Sequence, residues 1–243
     1  MDLTGRTALV TGGGVRVGRA ICLALAEAGA KVFVHYNSSA DGAVATRDEV
    51  LAAGGTSAIG SADLSDPHSG IMLIADAQAA LGPVSILVNS ASGFPTDSIA
   101  TFKLESLRAT MSVGLESPVM LTKAMAEALP PDLDGAVVNI TDARTATPYK
   151  EHLSYTLVKG GLDTFTRVAA LDLAPTIRVN AVALGVILPP ADETDEYAEK
   201  LARRLPLARV GGAEVVAEAV VFLCRNDFIT GEIVRVDGGG HLA

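Results

Sequence analysis

Alternation of short β-branched runs with longer helical patterns predicts an α/β protein, built as one doubly wound, parallel, seven-stranded sheet with helices on both faces. Two observations support this. A glycine-rich turn stands at the first strand-to-helix junction, and no linker, repeat or composition break divides the 243 residues, so residues 1–243 read as one domain. Thr7 to Thr11 reads as the first strand, and Val17 to Ala28 as the helix after it, stopped by Gly29. Lys31 to Tyr36 is the second strand; Asp41 to Ala53 is helical and Gly54-Gly55 ends it. Thr56 to Gly60 gives a third strand, and Pro67 to Leu81 a helix with Asp66 as cap and Pro at its first position. Val84 to Asn89 is a fourth, buried strand, followed by a long helix from Phe102 to Leu129 with Gly114 and Pro118 as kink points. Gly135 to Thr141, a helix over Leu153 to Leu173, and Ile177 to Ala183 continue the alternation. Residues 184–209 differ: Pro189-Pro190, the acidic run Asp192, Glu193, Asp195 and Glu196, and Arg203-Arg204 read as a segment that covers a pocket, the acidic run being a solvated helix start. Glu214 to Cys224 is the last helix and Glu232 to Val236 the last strand.

Composition excludes several classes. At 49% hydrophobic and 19% charged the chain is too apolar for disorder. With 28 acidic against 19 basic residues and a net charge of −9, its surface repels a nucleic-acid backbone, so no nucleic-acid partner is expected. Cys22 and Cys224 fall in separate helices and suggest no disulfide framework. Asp2, Arg6, Arg16 and Arg19 interrupt any signal-peptide core, and no apolar run approaches a membrane span, which points to a soluble, cytoplasmic protein. His68, His152 and His241 lack metal-ligand spacing, so no metal site is expected; His152, three residues before Tyr155, either borders the pocket or, the preferred reading, is an exposed helix start.

The turn runs Thr11-Gly12-Gly13-Gly14-Val15-Arg16-Val17-Gly18. Glycines there let the backbone approach a pyrophosphate, whose charge sits at the helix N-terminus; Gly12, Val17 and Gly18 are the contact candidates. Arg16 stands where a middle glycine belongs. It is either a surface arginine beside a structural loop or, the preferred reading, a guanidinium offered to phosphate. At the end of the second strand an acid would select NAD, but His35-Tyr36-Asn37-Ser38-Ser39 holds none before Asp41. Imidazole, hydroxyl and amide donors beside Arg16 suit a 2′-phosphate, so NADP(H) is the expected cofactor.

Tyr155 and Lys159 are four residues apart, one helical turn, and share a face. A neighbouring ammonium favours the ionised phenol and is expected to lower the Tyr155 pKa toward the range of a general acid.

With these residues in place the chain resembles the short-chain dehydrogenase/reductase family along residues 1–243, and so implies a Rossmann-type sheet. The matches are Thr11 to Gly18, Asp63-Leu64, Asn89-Ser90-Ala91, Tyr155 with Lys159, Ile177-Arg178-Val179-Asn180, Ile229-Thr230-Gly231 and Val236-Asp237-Gly238-Gly239. Arg16, His35-Tyr36, Ala91-Ser92, Phe94 and Asp142 are similar to the pteridine reductase branch, where Asp142 replaces the usual serine. The resemblance implies NADPH-dependent reduction of a pterin or dihydrofolate C=N bond by a catalytic trio of Asp142, Tyr155 and Lys159. It implies substrate contacts from Arg16, Ser92, Phe94, Asp142 and Tyr155. It implies cofactor contacts from Asp63 and Leu64 at the adenine, from Asn89, Ser90, Ala91 and Thr141 at strand ends, and from Gly185, Val186 and Leu188 at the nicotinamide, with Tyr155 and Lys159 beside it. A homotetramer is implied as well. Phe94 has a second reading as a buried core side chain.

Three features depart from the family pattern. Gly114 stands where an Asn orders a water near the active-site Lys, Leu184-Gly185 replaces Pro-Gly and relaxes the backbone there, and Arg144 is placed to pair with Asp142 and keep it ionised. Two alternatives follow: a reductase of carbonyls such as 3-oxoacyl thioesters, and a non-catalytic NADP(H)-binding regulatory protein.

Overall fold

Residues 1–190 and 193–243 are described by the structure, a computed structural model. Its single sheet has seven parallel strands in the order β3-β2-β1-β4-β5-β6-β7. These are β1 (Thr7–Val10), β2 (Lys31–Tyr36), β3 (Ser57–Ser61), β4 (Val84–Asn89), β5 (Gly135–Asp142), β6 (Ile177–Leu184) and β7 (Ile233–Val236). The order reverses between β1 and β4, so a crevice opens there beyond the strands' carboxyl ends.

Helices α1 (Arg16–Glu27) and α8 (Ala213–Arg225) cover one face, where Ile21, Cys22, Leu25, Val216, Val220 and Leu223 pack on Val10, Val88 and Val138. On the other face α3 (Pro67–Leu81), α5 (Ser117–Ala128) and α6 (Leu153–Leu173) lay Leu73, Ile74, Leu121, Met125 and Ala169 on Leu9, Phe33, Leu87 and Val137. Every residue of β4 and β5 is buried, as expected for central strands covered on both sides. Asp66 caps α3 as its sequence implied, accepting the His68 N–H. Helix α2 (Ala40–Ala52) follows β2. Both cysteines are free and buried.

Element bounds follow the sequence reading to within a residue or two, and the differences have causes. β1 ends at Val10; just beyond it the Thr11 N–H still donates to the Val88 carbonyl, while its hydroxyl accepts the N–H groups of Ser90 and Ala91, at 2.9 and 3.0 Å. β7 starts after Glu232, whose N–H donates to the Asn180 side chain.

The predicted long helix is α4 (Leu104–Met111), a π-helical turn over Ser112–Glu116, and α5 in continuous succession. Pro118 has no N–H to give the carbonyl of Gly114, and widening the turn absorbs the mismatch. Gly114 lies against α6: a Cβ there would sit 2.4 Å from Val158 Cγ1. The asparagine of the family pattern has no room at this position. Gly114→Ala is expected to destabilise the fold by about 1–3 kcal/mol through overpacking. A urea midpoint equal to that of the wild type would contradict this.

Within residues 193–209, helix α7 (Asp195–Ala202) begins at Thr194, whose hydroxyl accepts the Tyr197 N–H. Asp195 and Glu196 occupy its first turn, as anticipated for a helix start. Asp192, the first residue of the acidic run, lies outside the described residues, with Ala191. No described helix is long and apolar enough to cross a membrane.

Candidate active site

The glycine turn follows β1 directly. Gly12 has φ +65°, a conformation that favours glycine, and Gly18 packs so tightly on the turn that a Cβ would lie 2.1 Å from the Gly12 carbonyl oxygen. α1 then starts at Arg16 behind Val15, which offers no side-chain cap, so its first N–H groups face the crevice mouth. Arg16 is exposed, with φ +52°, and its guanidinium donates to the Pro189 carbonyl at 2.5 Å. It therefore bridges the turn to the segment after β6. Tyr36 and Ser39 are half-buried at the end of β2, and Asn37 and Ser38 are exposed.

His35 does not join those donors. It is buried in β2, its Nδ1 accepts the Gly12 N–H at 3.1 Å, and its Nε2 meets the Ala62 carbonyl at 3.0 Å. Accepting at one nitrogen fixes the proton on the other, so the ring is a neutral strut behind the turn, and it does not reach for a 2′-phosphate. Burial lowers its pKa below the ordinary 6.5. A depressed histidine pKa supplies stability that is whole above 6.5 and lost as pH falls toward the folded-state value. The wild-type urea midpoint is expected to drop between about pH 7 and pH 5, and His35→Gln to flatten that slope. Equal slopes would refute the assignment.

Asn89 ends β4 with its side chain turned to Asn139 on β5, Nδ2 to Oδ1 at 2.8 Å, and Asn139 passes the bond to Thr166 of α6. Its Oδ1 and the Thr141 hydroxyl are buried without a protein partner. Ser90 and Ala91 are fixed by Thr11, and Ala91 closes over Gly12. Asp63 is exposed and accepts the Ser65 N–H, while Leu64 is buried and its carbonyl takes the Ser117 hydroxyl.

Asp142, Tyr155 and Lys159, the trio expected to handle protons, gather at the ends of β5 and α6. Asp142, 7% exposed, ends β5; its Oδ2 accepts the Tyr155 hydroxyl at 2.8 Å and its Oδ1 accepts the Arg144 N–H at 2.7 Å. The Arg144 side chain turns away, to the Thr147 carbonyl and over the Tyr149 ring, so the expected Arg144–Asp142 side-chain pair is replaced by a backbone contact. Lys159 is buried, donates to the Ile140 carbonyl at 2.8 Å, and has its Nζ 5.5 Å from the Tyr155 ring centre. Burial pushes the Lys159 pKa down to about 8, against the carboxylates of Asp142 and Asp163, which hold it up.

Tyr155 departs from expectation. Its pKa is raised well above 10, first by burial and then by the Asp142 charge and hydrogen bond, so here the phenol is firmly protonated. Burial likewise raises Asp142 above the ordinary carboxylate range.

Phe94 is 42% exposed, which excludes the core reading. His152 stacks on it at 3.9 Å between ring centres and Tyr155 meets it edge-on at 4.7 Å. His152 is thus a half-buried wall residue rather than an exposed helix start. Ser92 is exposed beside them, bonded only to the Gly93 carbonyl.

On the remaining side Leu184 pairs with both Asp142 and Val236 in the sheet, and the Gly185 N–H donates to the Val236 carbonyl. A Cβ on Gly185 would lie 2.5 Å from Asp237 Cα. The ladder and this contact restrain the backbone where the family has Pro-Gly, so Leu184 does not loosen it. Val186 and Ile187 are held through their carbonyls by the N–H groups of Gly211 and Gly212, and Leu188 is half-buried before the Arg16 bridge.

Asp163 and Asp97 were not singled out from sequence. Asp163 lies four residues beyond Lys159, the spacing that revealed Tyr155, and accepts the Thr145 hydroxyl at 2.7 Å. Asp97 belongs to an irregular loop and carried no pattern. Among the described residues no three His, Cys, Asp or Glu side chains gather as a metal site.

A phosphate-type turn in the first half of a parallel sheet and a Tyr-Lys pair facing it from the second half is the division of labour of dinucleotide-dependent oxidoreductases. A family model described as enoyl-(acyl carrier protein) reductase matches residues 14–241. FolM alternative dihydrofolate reductase 1 from Brucella canis, solved with NADP, is 38% identical with a TM-score of 0.95, covering 100% of this chain and 96% of that one. The Brucella suis FolM structure with NADP is 37% identical with the same TM-score, covering 100% and 97%. A 3-oxoacyl-[acyl-carrier-protein] reductase from Synechocystis is 33% identical over 98% of this chain and 97% of its own length. The chain belongs to the short-chain dehydrogenase/reductase family.

Proposed function

We propose that the protein is an NADPH-dependent reductase of pterins of the dihydrobiopterin type and of dihydrofolate. The observation that carries this reading is the Asp142 carboxylate at the end of β5, within hydrogen-bond reach of Tyr155, whose ring in turn meets Phe94, itself stacked by His152. A pterin edge presents paired N–H donors, which a carboxylate accepts and a serine hydroxyl cannot match. Phe94, 42% exposed, offers ring surface that suits a flat heterocycle. The likeness to the FolM structures, which were solved with NADP, supports the same reading.

The residues present fit the cofactor: the α1 N-terminus has no side-chain cap, Gly12 turns the backbone at positive φ, and the Thr141 hydroxyl lacks a protein partner among the described residues. Gly12, Val17, Gly18 and Arg16 would hold the phosphates, Tyr36, Asn37, Ser38 and Ser39 the 2′-phosphate, Asp63 and Leu64 the adenine, and Ser90, Ala91, Thr141, Gly185, Val186 and Leu188 the nicotinamide half. When bound, the reduced dinucleotide supplies the hydride.

Asp142 orients the pterin edge. As the substrate's N–H groups engage that carboxylate, they compete with the Tyr155 hydroxyl for it and weaken the hydrogen bond that, after burial and the Asp142 charge, holds the phenol protonated. Tyr155 is thereby freed to give its proton to the ring nitrogen of the reduced C=N bond. Lys159 stays behind Tyr155 as an ammonium and stabilises the phenolate left by that transfer. Arg16 and Ser92 would complete the substrate contacts. The tetramer belongs to the same proposal, and exposed Val168 and Leu171 on α6 suit a subunit contact.

The test follows NADPH absorbance with 7,8-dihydrobiopterin, dihydrofolate and, in parallel, a 3-oxoacyl thioester. Oxidation that depends on the pterin or folate is expected. Turnover of the thioester alone would replace this reading with the carbonyl one, and cofactor binding without any turnover would replace it with the regulatory one.

A further inference from the structure

We propose that Asp97 is a positioning residue that sets the substrate wall and the proton donor against each other, an inference that rests on the pterin reading of the site. Helix α6, which carries Tyr155 and Lys159, starts without a cap of its own: His152 precedes it at φ +71° and offers no side-chain bond to its first N–H groups. The cap comes from a distant loop. Asp97, 7% exposed, accepts the Ser154 N–H on Oδ1 at 3.0 Å and the Ser154 hydroxyl on Oδ2, and its own carbonyl accepts the Leu153 N–H at 3.1 Å. A carboxylate at a helix N-terminus gains from the aligned N–H groups as well as from the bonds themselves.

The same loop carries the wall. Between the end of β4 and the start of α4 it has neither strand nor helix, so nothing regular fixes Phe94. Two contacts do so instead: the Pro95 carbonyl meets His152 Nδ1 at 2.8 Å, and the Phe94 ring lies on the His152 ring. Asp97 closes this staple two residues further on. One carboxylate therefore couples the height of the stacking face to the place of the Tyr155 hydroxyl, whose ring meets the edge of Phe94. Asp97 touches no reacting atom and acts through Ser154, His152 and Phe94.

Asp97→Asn, Ser154→Ala and Phe94→Ala are compared with the wild type for KM and kcat on 7,8-dihydrobiopterin, for the NADPH dissociation constant, and for melting temperature. Asp97→Asn keeps the shape but loses one acceptor. It is expected to raise the pterin KM and lower kcat, each about tenfold, because small displacements of reacting groups are costly. NADPH affinity should stay within about twofold, since neither Asp97 nor Ser154 is among the residues placed on the cofactor. On a Phe94→Ala background the KM effect of Asp97→Asn should vanish while the kcat effect remains. If Asp97→Asn does not fold, Ser154→Ala, which leaves the backbone bond to Asp97 in place, should still lower kcat about threefold. An unchanged KM with kcat and melting temperature falling together would overturn the proposal, for that is what a merely structural cap would give. A wild type that turns over only the thioester also overturns it, but that failure is seen before any variant is made.

Discussion

Tyr155→Phe is expected to lower pterin-dependent NADPH oxidation by about a thousandfold while leaving NADPH binding and the melting temperature near those of the wild type. The substitution removes one oxygen. The ring that meets Phe94 edge-on stays, so the wall survives, and α6 keeps its bonds to Asp97. What goes is the phenol that donates to Asp142 at 2.8 Å, and with it the proton that must reach the substrate nitrogen. Asp142 also loses a bond that lowers its pKa and becomes easier to protonate. Turnover within tenfold of wild type would mean that water or another acid supplies the proton. In the wild type, turnover should fall as pH rises past about 8, where Lys159 loses the proton that makes it an ammonium behind Tyr155. A rate that keeps rising well above that pH would contradict the role given to Lys159.

The sheet was legible because its signals are local. Short β-branched runs, glycine stops and the Asp66-Pro67 start each depend on a few adjacent residues, and the structure repeats them to within one or two positions. Tyr155 and Lys159 were legible for the same reason, as two residues on one helix face. The contacts that failed to show are those made across the chain. His35 stands beside good phosphate binders in sequence, yet strand alternation turns it inward to the Gly12 N–H. Arg144 stands two residues from Asp142, yet its guanidinium finds the Thr147 carbonyl and the Tyr149 ring. Asp97 and Ser154 are 57 positions apart and meet only because the loop after β4 folds over the start of α6. The pKa of Tyr155 was misjudged on the same ground: the spacing displayed the lysine, while the burial and the facing carboxylate belong to the tertiary structure.

Asp142→Ser tests what the carboxylate is for, because it restores the residue most of the family has and changes little else. Serine offers one oxygen in place of two and no charge, so the paired N–H donors of a pterin edge lose their acceptor. Pterin turnover is expected to fall about a hundredfold or more, as for the loss of a charge-assisted pair in a buried site. Two titrations move as well, and both signs follow from the causes of the present shifts. The Asp142 charge and hydrogen bond raise Tyr155, so without them its pKa drops, although burial still holds it up. The same charge supports Lys159, so its pKa falls below about 8 and the alkaline loss of activity moves to lower pH, with Asp163 left as the supporting carboxylate. For a carbonyl substrate the balance reverses. Negative charge develops on the carbonyl oxygen during hydride transfer, and a carboxylate at that place opposes it while a hydroxyl donates to it. The ratio of thioester to pterin turnover should therefore rise by at least about a hundredfold in Asp142→Ser. Equal losses with both substrates would mean that Asp142 only holds Tyr155 in place, and the choice of substrate would then have to lie in the segment after β6.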